Sequence, residues 1–185
     1  MIKTKQELRE CLQLEKNIYS VNLTEKLTYD NKCVLWRYIK LLRKSEYHYN
    51  NRSSIFHSLM YVYYRKKRNK LGRSIGLEIW ENCFDTGLTI YHPGYLVINR
   101  EVRAGKNCHL HGSNCIGNNG KSDAAPKLGD NVSLGFGAGV FGKITIADDT
   151  AIGAGAIVVK DCLETNATLV GVPAKTINRM KGFSK

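Results

Sequence analysis

The chain has 185 residues, enough for one ordinary domain or two small ones, and its 43% apolar and 24% charged residues exclude a chain disordered by composition. Its net charge of +12 raises nucleic acid or a membrane surface as partners. No apolar run reaches the roughly 18 residues of a membrane span, and residues 1–7 hold no apolar signal core, so the chain reads as cytoplasmic.

Charge and glycine divide the chain. Residues 1–75 hold 17 Lys/Arg against 6 Asp/Glu, a net of +11, while residues 76–185 come to +1. All 17 glycines lie from Gly72 onward. Glycine costs up to about 1 kcal/mol in a helix interior, so the glycine-free part reads as a basic helical region over 1–75. Thr4 caps the first helix, with Glu7 as capping-box partner and Leu8, Cys11, Leu12 and Glu15 at helical spacing. Asp30 or Asn31 caps a second, with the face Val34, Leu35, Tyr38, Ile39 and Leu42. Ser53 or Ser54 caps a third that carries Ile55, Leu59, Val62 and Tyr63 and ends in the basic run 65–70 before Gly72. That run, with Tyr61, Tyr63 and Tyr64 before it, offers a surface for weak association with an anionic membrane; nucleic acid is the disfavoured reading, because basic runs usually end solvated helices.

The second part repeats every six residues. Leu128, Leu134, Val140, Ile146, Ile152 and Val158 form one aliphatic row, which extends back through Ile116, Leu110, Ala104 and Ile98. A companion row of small or β-branched residues runs through Val132, Ala138, Ile144, Thr150 and Ala156, and back through Cys108, Val102, Leu96 and Ile90. Six fits neither a helix (3.6) nor a flat alternating strand (2). It predicts a β-solenoid of roughly four coils over 84–162, one side chain per face pointing inward and Gly, Asn and Asp at the corners. The fold class is thus α+β. The domains expected are 1–75, a β-helix over 76–177 and a C-terminal tail over 178–185.

Several stretches carry a resemblance: Gly87-Leu88-Thr89-Ile90-Tyr91-His92, Cys115-Ile116-Gly117, Gly120-Lys121-Ser122, Ile152-Gly153-Ala154-Gly155-Ala156-Ile157-Val158 and Gly171-Val172-Pro173-Ala174-Lys175. They resemble the hexapeptide-repeat acyltransferases, and within them the serine acetyltransferase group and its relatives from polysaccharide gene clusters. The resemblance implies a left-handed parallel β-helix, acetyl-CoA as co-substrate, a homotrimer or dimer of trimers, and a site between subunits.

His92 falls at position 92 of the six-residue row, where an aliphatic is expected, and it matches the catalytic histidine of that group. A hydroxyl acceptor needs such a base, and a positioned histidine supplies typically 10²–10⁴-fold. Glu78, with one residue of slack, matches the acidic partner that fixes the tautomer. For the cofactor the candidates are Gly120 and Lys121 in the insert 117–127, then Gly137, Ala138, Gly153, Ala154 and Gly155, where backbone approaches closely, with Lys160 and Lys175 for the phosphates. Tyr91 and Asn118 are the candidate acceptor contacts. His109 and His111 flank the inward Leu110 and lack further ligands, so no metal is expected. Six cysteines without a C-x-x-C pair read as reduced thiols.

Two positions depart from the serine enzymes. Tyr91 stands where they carry an Asp, and Ala124-Ala125 where they carry an Arg-His pair. The expected activity is therefore an acetyl-CoA-dependent O-acetyltransferase acting on a sugar hydroxyl in surface polysaccharide biosynthesis. The alternative is serine O-acetylation for cysteine biosynthesis.

Overall fold

Thr4 opens the first helix as its spacing predicts. Its hydroxyl accepts the Glu7 N–H at 3.1 Å, and the Glu7 carboxylate accepts the Thr4 N–H at 2.9 Å. The computed structural model describes residues 1–177; the tail expected over 178–185 lies outside them. Four helices come first: α1 (Lys5–Tyr19), α2 (Leu23–Leu27), α3 (Asn31–Asn50) and α4 (Ile55–Ile75), the last closed by left-handed Gly76 at φ 74°. The short α2, which the helical spacing does not predict, has its own capping box, Asn22 with Glu25.

α3 buries Leu35, Tyr38, Ile39 and Leu42, the expected face. α4 differs. Ile55, Leu59, Val62 and Tyr63 face solvent, and the buried positions are Tyr61, Arg68 and Gly72. The inward face of α4 is polar because its charge is paired: Arg68 Nη1 lies 2.8 Å from a Glu81 carboxylate oxygen. Gly72 is needed here, since a Cβ would lie 2.4 Å from the Leu77 carbonyl oxygen.

Among the described residues fourteen short strands follow in three sheets. One holds β1 (Leu77–Glu78), β3 (Leu96–Ile98), β6 (Cys115–Gly117), β9 (Gly139–Phe141) and β12 (Ile157–Val158). The second holds β4 (Arg103–Ala104), β7 (Lys127–Leu128) and β10 (Thr145–Ile146). The third holds β2 (Thr89–Ile90), β5 (His109–Leu110), β8 (Ser133–Leu134), β11 (Ala151–Ile152), β13 (Thr168–Gly171) and β14 (Ala174–Ile177). Every pair is parallel except β13 with β14. The chain visits the third, first and second sheets in turn, so successive coils stack.

The inward rows make the core. Ile90, Leu110, Leu134, Ile152 and Leu169 form one ladder, and Ile98, Ile116, Val140 and Val158 another, all at most 4% exposed. Burying each such side chain stabilises by about 1.5–3 kcal/mol before entropy. From Ile98 to Val158 the six-residue register is the observed one. Before Ile98 the register slips by two, and after Val158 the last coil is shorter, with Ile152 paired to Leu169, seventeen residues on. Ile90 pairs with Leu110, twenty residues on, whereas Ile98 pairs with Ile116, eighteen on. The turn holding Pro93 and Gly94 is two residues longer than its counterparts below. Ile90 therefore belongs to the aliphatic row and not the companion row.

The helical region closes the top of this prism and shares its core, since Tyr19, Leu35, Tyr38, Ile39 and Leu42 pack in one cluster with the first coil. The strands of the first coil would otherwise present unpaired N–H groups, and α1 and α3 supply acceptors. The Ile90 N–H donates to the Tyr19 hydroxyl at 2.8 Å, the Ile79 N–H to Tyr38 at 3.2 Å and the Gly87 N–H to Glu15 at 3.2 Å. The six cysteines are free, and burial pushes the Cys11, Cys83 and Cys108 thiols up to about 12, where they stay protonated.

Candidate active site

His92 does not sit in the aliphatic ladder, as its position in the six-residue row predicts. The two extra residues of its turn carry it outside, and it is exposed. It occupies the corner between the third sheet and the first, directly above Gly112. A Cβ on Gly112 would touch the His92 Cβ and the Phe136 ring, each at 3.4 Å. The same corner continues downward through the turns at Gly137 and Gly155, joined by Gly137 N–H to Gly112 O and Gly155 N–H to Phe136 O, both 2.9 Å. With about 4.8 Å between stacked strands, Gly137 lies roughly 10 Å below His92.

The Tyr91 ring lies stacked on His111, centroids 4.5 Å apart and planes 23° apart. It also overlies His109 at 6.0 Å, and the Tyr91 hydroxyl lies 3.2 Å from His109 Nδ1. Burial and the neighbouring His111 lower the His109 pKa, so the ring is neutral at neutral pH. With its proton on Nε2, Nδ1 then accepts the tyrosine hydroxyl. The two-residue slip explains the stack: pairing at twenty residues puts Tyr91 over His111, a contact that the six-residue register hid.

The remaining candidates separate into groups. Gly137 and Gly155, with φ of 71° and 67°, face open space, and Ala154 and Gly155 are exposed in the His92 column. Gly153 is half-buried beside Val170. Ala138 is a correction: it is fully buried on the inner row, backbone included, and presents no surface to a cofactor. Gly120, Lys121 and Asn118 lie in the insert, which leaves the opposite edge of the first sheet, where Asn119 packs against Gly142. They do not meet His92 within one chain. Lys160 and Lys175 are exposed, the latter on β14. Ala125 is buried in the core and is no surface contact.

Glu78 is exposed on β1 across from Val97. No hydrogen bond joins it to His92 among the described residues, although the turn that follows His92 bonds to the segment just before Glu78, with Gly94 N–H to Ile75 O at 2.9 Å and Leu96 N–H to Gly76 O at 2.8 Å. Among the described residues no three His, Cys, Asp or Glu side chains gather as a metal would need, and no helix is long and apolar enough to cross a membrane.

Comparison with known proteins extends these observations. No family model matches the chain. A serine acetyltransferase of Helicobacter pylori strain J99 is 35% identical over 127 residues, which cover 66% of this chain and 74% of that protein. The chain belongs to the serine acetyltransferase family. An Escherichia coli K12 acetyltransferase named for colanic acid biosynthesis, WcaB, is 36% identical over 88 residues, 47% of this chain and 54% of that one. The solved serine acetyltransferase of Brucella abortus strain S19 in complex with coenzyme A superposes with a TM-score of 0.67 at 26% identity, over 93% of this chain and 66% of that one. The family's fold is the left-handed β-helix, and this chain has it, beneath an N-terminal helical cap. As a member of this family the chain is an acetyltransferase.

Proposed function

We propose that this chain moves the acetyl group of acetyl-CoA onto a sugar hydroxyl in surface polysaccharide synthesis, with His92 as general base. The observation that carries the acceptor is the ring stack beside that histidine. Tyr91, held by His109 and His111, presents an aromatic face and one hydroxyl, suited to the apolar face of a sugar. It offers no carboxylate to an amino acid's ammonium group. The kinship with an enzyme named for colanic acid biosynthesis supports the same reading.

The residues present fit the acyl carrier. In the corner column Gly137 and Gly155 face open space and Ala154 carries only a methyl group, which leaves room for an extended pantetheine arm along the backbone beside the exposed Phe136 ring. Lys160 and Lys175 are exposed point charges for its phosphates. His92 takes the acceptor's hydroxyl proton as that oxygen bonds to the acetyl carbon, and returns it to the departing thiolate. Glu78 serves as the positioning carboxylate once the site is complete.

Gly120, Lys121 and Asn118 leave the far edge of the first sheet, so they complete the site from a neighbouring copy. The assembly proposed is a homotrimer or a dimer of trimers in the cytoplasm, and the basic end of α4 supports weak contact with an anionic membrane surface. A second reading, free serine as acceptor, is favoured by the name of the Helicobacter pylori relative.

Thiol release from acetyl-CoA, measured against serine, nucleotide sugars and oligosaccharides, tests the proposal. Turnover with a saccharide and loss of it in His92→Ala is expected. Efficient serine acetylation without saccharide turnover would overturn the acceptor.

A further inference from the structure

Where α4 meets the first coil, two adjoining clefts open that the reaction at His92 does not use. One, of about 240 Å³, is lined by Arg52, Tyr61, Arg65, Trp80, Arg100 and Arg103. The other, of about 280 Å³, shares Arg65 and Trp80 and continues past Arg73 to Glu78. Together they form a channel that starts at the candidate positioning carboxylate. Its end at Leu77 and Glu78 follows in sequence on Ile75 and Gly76, whose carbonyls accept the Gly94 and Leu96 N–H groups of the turn after His92.

Three guanidinium groups here, those of Arg52, Arg65 and Arg103, are held by rings or backbone carbonyls rather than by acids. The Arg52 guanidinium lies 3.8 Å from the centroid of the Tyr49 ring, and those of Arg65 and Arg100 lie 4.8 and 5.9 Å from that of Trp80. Arg65 also donates to the Tyr61 hydroxyl at 2.7 Å, and Arg103 to the Arg100 carbonyl at 2.8 Å. Two carboxylates line the same cleft, and both are occupied: Glu81 pairs with buried Arg68, and Glu101 with exposed Arg100 at 3.1 Å. No carboxylate partners Arg52, Arg65 or Arg103 among the described residues. A guanidinium stacked on a ring keeps its N–H fork in the plane, free at the edge, and that fork matches phosphate oxygens two at a time. Each of the three spends one nitrogen on a neutral oxygen, Arg52 on the Tyr49 carbonyl, Arg65 on the Tyr61 hydroxyl and Arg103 on the carbonyls of Arg100 and Val102. Their charge is left without an anion among the described residues, and three such groups in one cleft call for a ligand with several phosphate oxygens.

We infer that this channel binds the pyrophosphate of a pyrophosphate-linked sugar, which is the acceptor, and directs its sugar toward the Tyr91 platform and His92. The inference rests on the sugar reading above and names its substrate class. The pyrophosphate has two sources, a soluble nucleoside diphosphate sugar or a lipid pyrophosphate sugar.

Calorimetric titration of the full chain with inorganic pyrophosphate tests the channel without any acetyl transfer. Binding is expected, weakening steeply with salt, and at least tenfold weaker in Arg65→Gln and in the Arg52→Gln, Arg103→Gln double variant. Arg65→Lys, which keeps the charge and loses the fork, should fall between. Arg52 and Arg103 are exposed, so the double variant keeps the test valid if Arg65→Gln unfolds. His92→Ala should bind as the parent does, which separates the channel from the chemistry. A UDP-sugar and a short-chain prenyl pyrophosphate sugar in micelles then compete for the probe, and the stronger competitor names the source. No pyrophosphate binding, equal binding by all variants, or displacement of the probe by coenzyme A would overturn the inference; the last would assign the arginines to the acyl carrier.

Discussion

The Tyr19 hydroxyl accepts the backbone N–H of Ile90 at 2.8 Å, one residue before Tyr91 and two before His92. A side chain of the first helix thus holds the strand that aims the candidate base. Burial raises the Tyr19 pKa, so the phenol stays protonated. Tyr19→Phe leaves a buried N–H without an acceptor, at a cost of about 1–3 kcal/mol. The expected result is lower stability by denaturant titration together with a reduced kcat, the KM for the acetyl donor unchanged. Stability lost with kcat intact would show that Tyr19 only supports the fold.

Arg43 is the centre of the join between cap and coil. Its guanidinium bonds both Glu15 oxygens, at 2.7 to 3.1 Å, then Glu46 at 2.9 Å and the carbonyls of Phe84 and Asp85 at 2.9 and 2.6 Å. Burial opposes the Arg43 cation, but Glu46 and Glu15 outweigh it and hold its pKa above the ordinary value. Removing the cation strands two buried carboxylates. Arg43→Leu should therefore cost about 3–5 kcal/mol, read as a shifted denaturant midpoint. A change under 1 kcal/mol would mean that the network adds nothing to the join.

The six-residue register makes its own prediction. Ile146→Asp and Ile152→Asp place a lone carboxylate in a dry ladder, which costs several kcal/mol and should abolish soluble folded protein. Asp148 sits at a corner, where Oδ1 accepts the Asp130 N–H at 2.7 Å. Asp148→Asn keeps that acceptor and should be nearly silent, whereas Asp148→Ala should lose about 1 kcal/mol. Thermal melts of the four variants compare them directly, and equal tolerance would refute the register.

Histidines set the acid limit. His109 and His48 both have lowered pKa values, first through burial, then through His111 for His109 and through His57 for His48, whose Nδ1 atoms lie 2.9 Å apart. A histidine depressed in the fold adds stability above its ordinary value near 6.5 and loses it as pH falls through the lower folded value. Stability should therefore decline below about pH 6.5, and the decline should be shallower in a His48→Gln, His109→Gln double variant. Identical pH profiles for parent and variant would assign the acid loss to other groups.

How far the sequence reached depends on where the core is apolar. The ladder from Ile98 to Val158 was legible because every inward position is a hydrocarbon side chain at a fixed period. Pro93 and Gly94 add two residues without any hydrophobic signal, so the period alone assigns His92 to an inward row that it does not occupy. The α4 face departs from its periodicity because the pattern assumes that charge points outward, while Arg68 is buried with Glu81. The Tyr91–His111 stack and the arginine channel join residues on different coils or on helix and coil, contacts that no spacing within one segment encodes.

On the proposed sugar reading, acceptor choice turns on Tyr91. A zwitterionic amino acid needs its ammonium and carboxylate matched, and an unpaired charge in a closed site costs about 1–3 kcal/mol or more. The tyrosine stacked on His111 supplies a ring face instead. Serine should be at least about tenfold poorer in kcat/KM than the best saccharide, roughly 1.4 kcal/mol in transition-state stabilisation. Tyr91→Ala removes the face and should raise the saccharide KM more than it lowers kcat, while the serine rate barely moves. His92→Ala should remove turnover with either acceptor and leave coenzyme A binding nearly intact, because the base acts on the hydroxyl. Tyr91→Asp restores a carboxylate beside the base and should narrow the gap between serine and saccharide. If Tyr91→Ala leaves the saccharide KM untouched, the ring face does not bind the acceptor; full activity in His92→Ala would remove the histidine from the mechanism.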